Sequence, residues 1–594
     1  MRRAAFTILA LAILPLGCQR AEPIASKPEP DFVAPWFEDV TERVGLNFVH
    51  DAGPVGDYFL PQVIGSGAAL FDFDRDGRLD IYLLQNGGAK SASTNCLYRQ
   101  IDGGRFVDVS KGSGLDIAGH NMGVAIGDIN NDGWPDVVVT RYDPQEGGVK
   151  LFLNNGNGTF TDITKEAGLS NPSWGTSAAF FDYDRDGWLD LIVVNYLDYD
   201  PTWPGWSPQG PRDYCVPNTF RDRVSRLFHN LGARPTAERR GAGPNGAGSW
   251  KGFADVSESS GLGGLSGPGL GVVCADFDGD DWPDIFIAND GKANHLWINR
   301  KNGTFKEEAL VHGLAYDGRG QAQAGMGIAW GDVDGDGLLD VFVTHLADET
   351  NTLWRQEPRG LYSDQSAIGG FLKSSARGTG FGAVLADFDH DGALDLAVVN
   401  GHVSARTKAD DGTLGPFWSR YGDRNQIYRG DGRGHFDNLS LQNRAFCGRL
   451  NVARALAHGD IDGDGAIDLL VTTIGGRARL FKNIAPDRGH WFQVRAVDPA
   501  LHRDALGAVV RLRAGGKSRV SSLHPADSYL SSSVPVAHFG LGTVNRVDAV
   551  EIVWPDGRRE LFDNKRTGFD ADRRLQLRKG DGHLLGERPA SAGW

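Results

Sequence analysis

Carboxylates recur along this chain at a spacing that can hold a hard cation. Seven times the order Asp-x-Asp/Asn-x-Asp-Gly/Asp-x-x-Asp is repeated, and positions 1, 3, 5 and 9 of each copy offer oxygen donors. The first three sets are Asp72, Asp74, Asp76 and Asp80, then Asp128, Asn130, Asp132 and Asp136, then Asp182, Asp184, Asp186 and Asp190. The fourth and fifth are Asp276, Asp278, Asp280 and Asp284, then Asp332, Asp334, Asp336 and Asp340. The last two are Asp387, Asp389, Asp391 and Asp395, then Asp460, Asp462, Asp464 and Asp468. No His or Cys stands at these donor positions, and a crowded all-oxygen cage suits calcium better than zinc, copper or the more strictly octahedral magnesium. Position 7 shares no side-chain chemistry, being Arg78, Trp134, Trp188, Trp282, Leu338, Ala393 and Ala466. It is therefore read as a backbone-carbonyl ligand, giving up to seven calcium sites.

Position 6 is Gly in six copies and Asp281 in the fourth, as expected for a turn that needs positive φ. A bidentate Glu at position 12 is missing, and apolar β-branched runs flank the loops, which excludes a helix-loop-helix site. The loops must instead join strands.

Most copies start about 55 residues apart, the period of a propeller blade. In the second copy Leu151-Phe152-Leu153-Asn154, an Asn-Gly-Asn-Gly turn and Phe160-Thr161-Asp162-Ile163-Thr164 give a hairpin that supplies the third and fourth strands. After the seventh loop the third strand, Leu480-Phe481, has no fourth behind it, while Phe37-Glu38-Asp39-Val40-Thr41 precedes the first full repeat as an unclaimed fourth strand. Pairing the two would close a ring of seven blades and leave no free sheet edge. With 81 Gly and many short apolar runs, the 594-residue chain reads as all-β.

The net charge of −15 does not call for a cationic partner, because the loops alone hold 28 acidic residues, counting Asp281 and omitting Asn130, and seven divalent ions would nearly cancel the excess. Nothing points to nucleic acid. Arg2 and Arg3, the apolar stretch Ala4 to Leu16 and Gly17-Cys18 read as an export signal. A small residue and Cys directly after such a stretch resemble a bacterial lipoprotein processing site, with Cys18 as the lipidated residue and Pro15 as the departure from the usual Leu. Residues 19–35 are then a tether to the envelope.

The repeats resemble the FG-GAP or VCBS type of integrin α-chain propellers. The C-terminal segment is similar to an ASPIC/UnbV domain in Gly507-Ala508-Val509-Val510-Arg511-Leu512, Ser528-Tyr529-Leu530-Ser531-Ser532, His538-Phe539-Gly540-Leu541-Gly542 and Val550-Glu551-Ile552-Val553-Trp554-Pro555-Asp556-Gly557. An exported propeller followed by that domain resembles the cartilage acidic protein family and its bacterial relatives. The resemblance implies a seven-bladed propeller with integrin-α-like calcium loops over 36–485, a small β domain over 486–580 and a tail over 581–594. It also implies an extracellular calcium-binding protein with adhesion or matrix roles. Relatives tend to carry a pair of cysteines in the insertion of blade three, where this chain has Cys215.

Two insertions, Asp198 to Arg223 and His402 to Arg424, are expected on the face opposite the loops. Trp203, Trp206, Tyr214 and Trp418 on them, with His345 and His402 at the ends of second strands, form a candidate ligand face for a polysaccharide or an extracellular protein. Tyr142, Tyr196 and Asp290 approach the same face. The alternative is that these side chains only pack the insertions onto the ring. A surface lyase or hydrolase using His402 and His345 is the runner-up, and an envelope scaffold subunit the third reading. No nucleophile motif is present, so an enzyme is the less favoured class. Ser528 to Ser533 with Asp527 is read as a strand edge and not a hydrolase triad, and Leu231 to Ser249 as a solvated loop.

Overall fold

A computed structural model of the chain describes residues 34–585 other than 144, 146, 204–211, 234–249, 375–377, 407–411 and 564–567. The export signal, Cys18, nearly all of the tether, Trp206, most of the Leu231 to Ser249 stretch and residues 586–594 lie outside the described residues.

Each Asp-rich loop is the turn between a first and a second strand, and position 9 is the first residue of the second strand in every copy. Blade one is a four-stranded antiparallel meander of Ala68–Phe71, Asp80–Leu83, Cys96–Ile101 and Arg105–Asp108, and six further sheets repeat the order. The seventh takes its fourth strand from the N-terminus, with Phe37 opposite Asn483 and Asp39 opposite Phe481. The first strands touch their neighbours in an unbroken circuit, blade seven against blade one included, so the sheets close into a ring. Glycine makes that approach possible: a Cβ on Gly123 would collide with the carbonyl of Thr176, and one on Gly327 with that of Phe381, each on the next blade.

The second unit is two packed sheets. His490–Asp498 pairs with Arg503–Asp504, Ala537–Gly542 and, in parallel, Arg573–Arg578. The other sheet runs in the order Lys517–Ser522, Val509–Ala514, Ala549–Val553, Arg559–Asp563 and His583–Leu585. Phe492, Val510, Leu512, Val550, Ile552 and Trp554 fill the space between them. Its last strand, His583–Leu585, lies beyond residue 580, where the sequence placed the end of the domain.

This unit sits on the loop face of the ring. Arg503 donates from Nε to Asn131 Oδ1 at 2.8 Å and from Nη2 to the Gly187 carbonyl at 3.1 Å, while Gln493 Nε2 reaches Asp460 Oδ2 at 3.1 Å. A segment between its sheets then enters the ring. Ser528 exchanges backbone hydrogen bonds with Ile328 of blade five at 2.7 and 2.9 Å, and Ser532 bonds with Ala68 and Leu70 of blade one at 3.0 Å each. Between them Tyr529 is fully buried, edge-on to Phe381 at 4.9 Å, and its hydroxyl donates to the Ile64 carbonyl at 3.2 Å. The serine-rich stretch is thus a plug paired to inner strands.

Candidate metal centres and the two faces of the ring

Backbone geometry holds each loop in one form. In the first copy the N–H of Asp76 and Gly77 donate to the two oxygens of Asp72 at 3.0 and 2.9 Å, and the Arg78 N–H donates to Asp76 at 3.0 Å. The position 9 carboxylate turns back into the blade: Asp80 accepts from the Phe73 N–H at 3.1 Å and from the Gln100 N–H, on the third strand, at 2.8 Å. The same two bonds recur at Asp136, Asp190, Asp284, Asp340, Asp395 and Asp468. Position 6 has positive φ in all copies, Asp281 at 68° among them. Position 4 does as well, at Arg75, Asn131, Arg185 and His390 and at Gly279, Gly335 and Gly463. Three glycines at position 4 were the sequence signal for this second turn, which the other four copies hide behind Arg, Asn and His.

These carboxylates are held where ionisation is costly. Burial, helped by neighbouring carboxylates, pushes Asp80 and Asp340 up to about 8 and Asp190 to about 7, and raises Asp136, Asp284, Asp395 and Asp468 well above the ordinary range. At position 1, burial takes Asp128, Asp182 and Asp276 to about 7 and Asp332 to about 6. Carboxylate oxygens of Asp72, Asp74 and Asp80 lie within 4.8 Å of one another, as do those of Asp276, Asp278 and Asp284. Asp74 Oδ1 and Asp460 Oδ1 are shielded with no hydrogen-bond partner. Converging buried oxygens with missing partners fit a hard divalent cation, so the clusters can hold a metal.

The loops differ in what faces them from the third strand. The residue just after the one paired to the second strand is Arg99 in blade one, Arg355 in blade five, Arg429 in blade six and Lys482 in blade seven. Each reaches the carboxylates at positions 3 and 5. Arg429 Nη2 stands 2.8 Å from both Asp389 and Asp391, Arg99 is 2.5 Å from Asp74 and 3.2 Å from Asp76, and Arg355 and Lys482 pair likewise with Asp334 and Asp462. Blades two and four have Leu153 and Ile298 there, and blade three has His229. The His229 Nδ1 lies 3.1 Å from Asp190, and that hydrogen bond raises its pKa. It adds a nitrogen donor beside an otherwise all-oxygen site.

A second pattern joins the blades. The third strand ends in Asn or Gln, whose side-chain amide donates to the position 2 carbonyl of the preceding blade: Gln100 to Ile461, Asn154 to Phe73, Asn230 to Ile129, Asn299 to Tyr183, Gln356 to Phe277 and Asn483 to Phe388, at 2.8 to 3.0 Å. Blade six has Gly430 instead, and the Gly434 N–H takes the corresponding carbonyl, that of Val333, at 3.1 Å.

On the opposite face the open aromatic surface expected from the sequence is corrected for four residues. Tyr214, His345, His402 and Trp418 are buried. Tyr214 and Trp418 join Tyr142, Trp174, Tyr196, Tyr421 and the plug residue Tyr529 in one core that fills the ring. The two insertions grip each other through Asp213, which accepts from the Tyr421 hydroxyl and from the Ala405 N–H, both at 2.7 Å. Tyr196 is tied to Asp290 at 2.5 Å. Desolvation lowers His345 and His402 to about 4, so both are neutral near pH 7. Large aromatics and prolines in a long insertion bury the most apolar area by packing inward, which is why they left the surface. Trp203 is the exception, about half exposed at 52%.

A ring of four-stranded sheets with acidic loops and a sandwich on the loop face defines the class: a propeller of FG-GAP-like repeats joined to a second β domain. Residues 72–139, 128–193, 276–343 and 332–398 match the FG-GAP-like repeat family, and residues 498–584 match the ASPIC and UnbV family. Both families are matched in one chain, and the curated proteins it resembles over most of its length are cartilage acidic proteins. It is 24% identical to cartilage acidic protein 1 of Xenopus tropicalis over 91% of this chain and 75% of that protein, and 24% identical to that of Mus musculus over 94% and 78%. Among solved structures, YCF48 bound to D1 peptide is 8% identical with a TM-score of 0.38, covering 77% of this chain and 99% of that one. BBS1N in complex with ARL6DN is 10% identical with a TM-score of 0.37 over 77% and 99%.

Proposed function

We propose that the chain is an exported, calcium-stabilised propeller that serves as an extracellular binding module. The observation that carries the calcium reading is the sevenfold cluster of buried carboxylates with oxygen donors at one spacing. Calcium would neutralise each cluster and tie the first and second strands of a blade together. A site filled at about 100 times its dissociation constant adds about 2.7 kcal/mol of stability. Export, and lipid anchoring at Cys18, rest on the N-terminal sequence, and no helix among the described residues is long and apolar enough to cross a membrane. The partner class is an extracellular protein or a polysaccharide.

An enzyme that uses His402 and His345 is less favoured, because both rings are packed into the core away from solvent. The test is a calcium titration of chelator-stripped protein, read by calorimetry and by melting temperature. Binding accompanied by a rise in melting temperature supports the reading; a flat titration at millimolar calcium sinks it.

A further inference from the structure

With the channel plugged and the insertions packed, a roomy recess remains at the junction of the two domains. Between the loop ends of blades five, six and seven and the sheet edge Lys517–Ser522 lies a partly open cavity of about 680 Å³. That size and that placement are those of small-molecule sites.

Arg519, on the edge strand, and His524, just beyond it, form one wall; Asp332 and Asp387 of loops five and six stand in the other. The Arg519 side chain is half-buried and makes no hydrogen bond or ion pair among the described residues, although the Asp387 carboxylate attracts it from across the cavity, and its Nε and Nη1 are shielded without an acceptor. His524 Nε2 is likewise shielded and unpartnered, while its Nδ1 lies 3.4 Å from Ser522 Oγ. A shielded guanidinium N–H with no acceptor is costly, and an acceptor held in the cavity would relieve that cost. The other conspicuous pair is already satisfied: His458 Nε2 meets Asp527 Oδ2 at 2.9 Å, and Ser533 Oγ donates to Asp527 Oδ1 at 3.2 Å.

We propose that this cavity binds a small monoanionic carboxylate, up to the size of a sugar acid, whose oxygens accept from the Arg519 fork and from His524 Nε2. A planar carboxylate matches the guanidinium fork. The inference rests on the calcium reading: the lining carries seven Asp against four Lys and Arg, five of those Asp belong to loops five to seven, and divalent ions held there would offset their charge. A more highly charged anion would still meet Asp431 and Asp527, which belong to no loop.

The experiment is isothermal titration of the full, calcium-loaded chain with D-glucuronate, with glucose as the neutral control and the metal content of the same sample counted by mass spectrometry. Glucuronate should bind and glucose should not. Arg519→Leu should lose at least tenfold in affinity, Arg519→Lys less, and His524→Ala less again, with metal content and melting temperature unchanged. A metal-filled chain that ignores glucuronate, or binds it equally as Arg519→Leu, overturns the site while leaving the calcium reading intact. A chain that holds no metal and binds no glucuronate overturns both.

Discussion

Blades two to four and blades one, five, six and seven share a backbone loop but answer its charge differently. In the second group a strand-borne Arg or Lys bridges the carboxylates at positions 3 and 5, whereas in blades two and four that place is apolar and in blade three it is His229. Position 7 divides along the same line, with Trp134, Trp188 and Trp282 in blades two to four and Arg78, Leu338, Ala393 and Ala466 elsewhere. A fixed cation compensates part of the cluster before any metal arrives and competes with one for the same oxygens. The repeat is therefore uniform in shape and uneven in the cations that face it from the third strand, and blades two to four are expected to depend more on metal, although Lys301 meets Asp280 in loop four at 2.9 Å.

The largest effect should come from stripping the metal. Chelation is expected to lower the melting temperature by roughly 10 °C or more, since several sites each contribute a few kcal/mol. Terbium added to the stripped protein should gain tryptophan-sensitised emission from loops two to four at lower concentration than it fills the remaining loops by total count. Simultaneous filling would erase the distinction between the groups.

Swapping the strand residue sharpens it. Leu153→Arg should weaken metal binding at loop two by about tenfold, or about 1.4 kcal/mol, and Arg429→Leu should strengthen it at loop six by a similar factor. Site-resolved titration decides, and an unchanged affinity in both would mean that these cations only orient the carboxylates.

A pH series on metal-free protein comes next. Carboxylates such as Asp80 and Asp340 have folded values near 8, above the ordinary range, so the folded state binds protons more tightly than the unfolded one. Their contribution is fullest below about pH 4 and is lost as pH rises toward 8. Melting temperature in chelator should fall from pH 5 to pH 8 and stay flatter in calcium; the opposite slope would contradict the burial argument.

The last effect concerns the junctions. Asn154→Ala should cost about 1 to 3 kcal/mol in chemical unfolding, because it leaves the buried Phe73 carbonyl without its donor. The junction ahead of blade six, served by the Gly434 N–H, would be indifferent to Gly430→Ala at that bond, although the new Cβ would press on the Leu394 carbonyl.

Much of this fold was legible because it is local and repeated. Seven copies of one spacing disclosed which positions carry carboxylates and which must take the positive-φ turn, and the orphaned third strand at Leu480-Phe481 demanded its partner at Phe37. The unequal charge state of the loops was not legible, although Arg99, Arg355, Arg429 and Lys482 were in plain view. Their relevance depends on the register that turns them toward positions 3 and 5. The Asn and Gln staples were likewise visible residues whose targets lie on another blade.

By itself the sequence determined what depends on neighbours a few residues apart: the oxygen cage, the positive-φ turn at position 6, the four-stranded repeat and the number of times it occurs. Only the tertiary structure decided what fills the ring, which face the second domain covers, and where Arg519 is left without a partner. Those outcomes join segments hundreds of residues apart through contacts that occur once. A contact made once leaves no period to read, whereas a loop made seven times does.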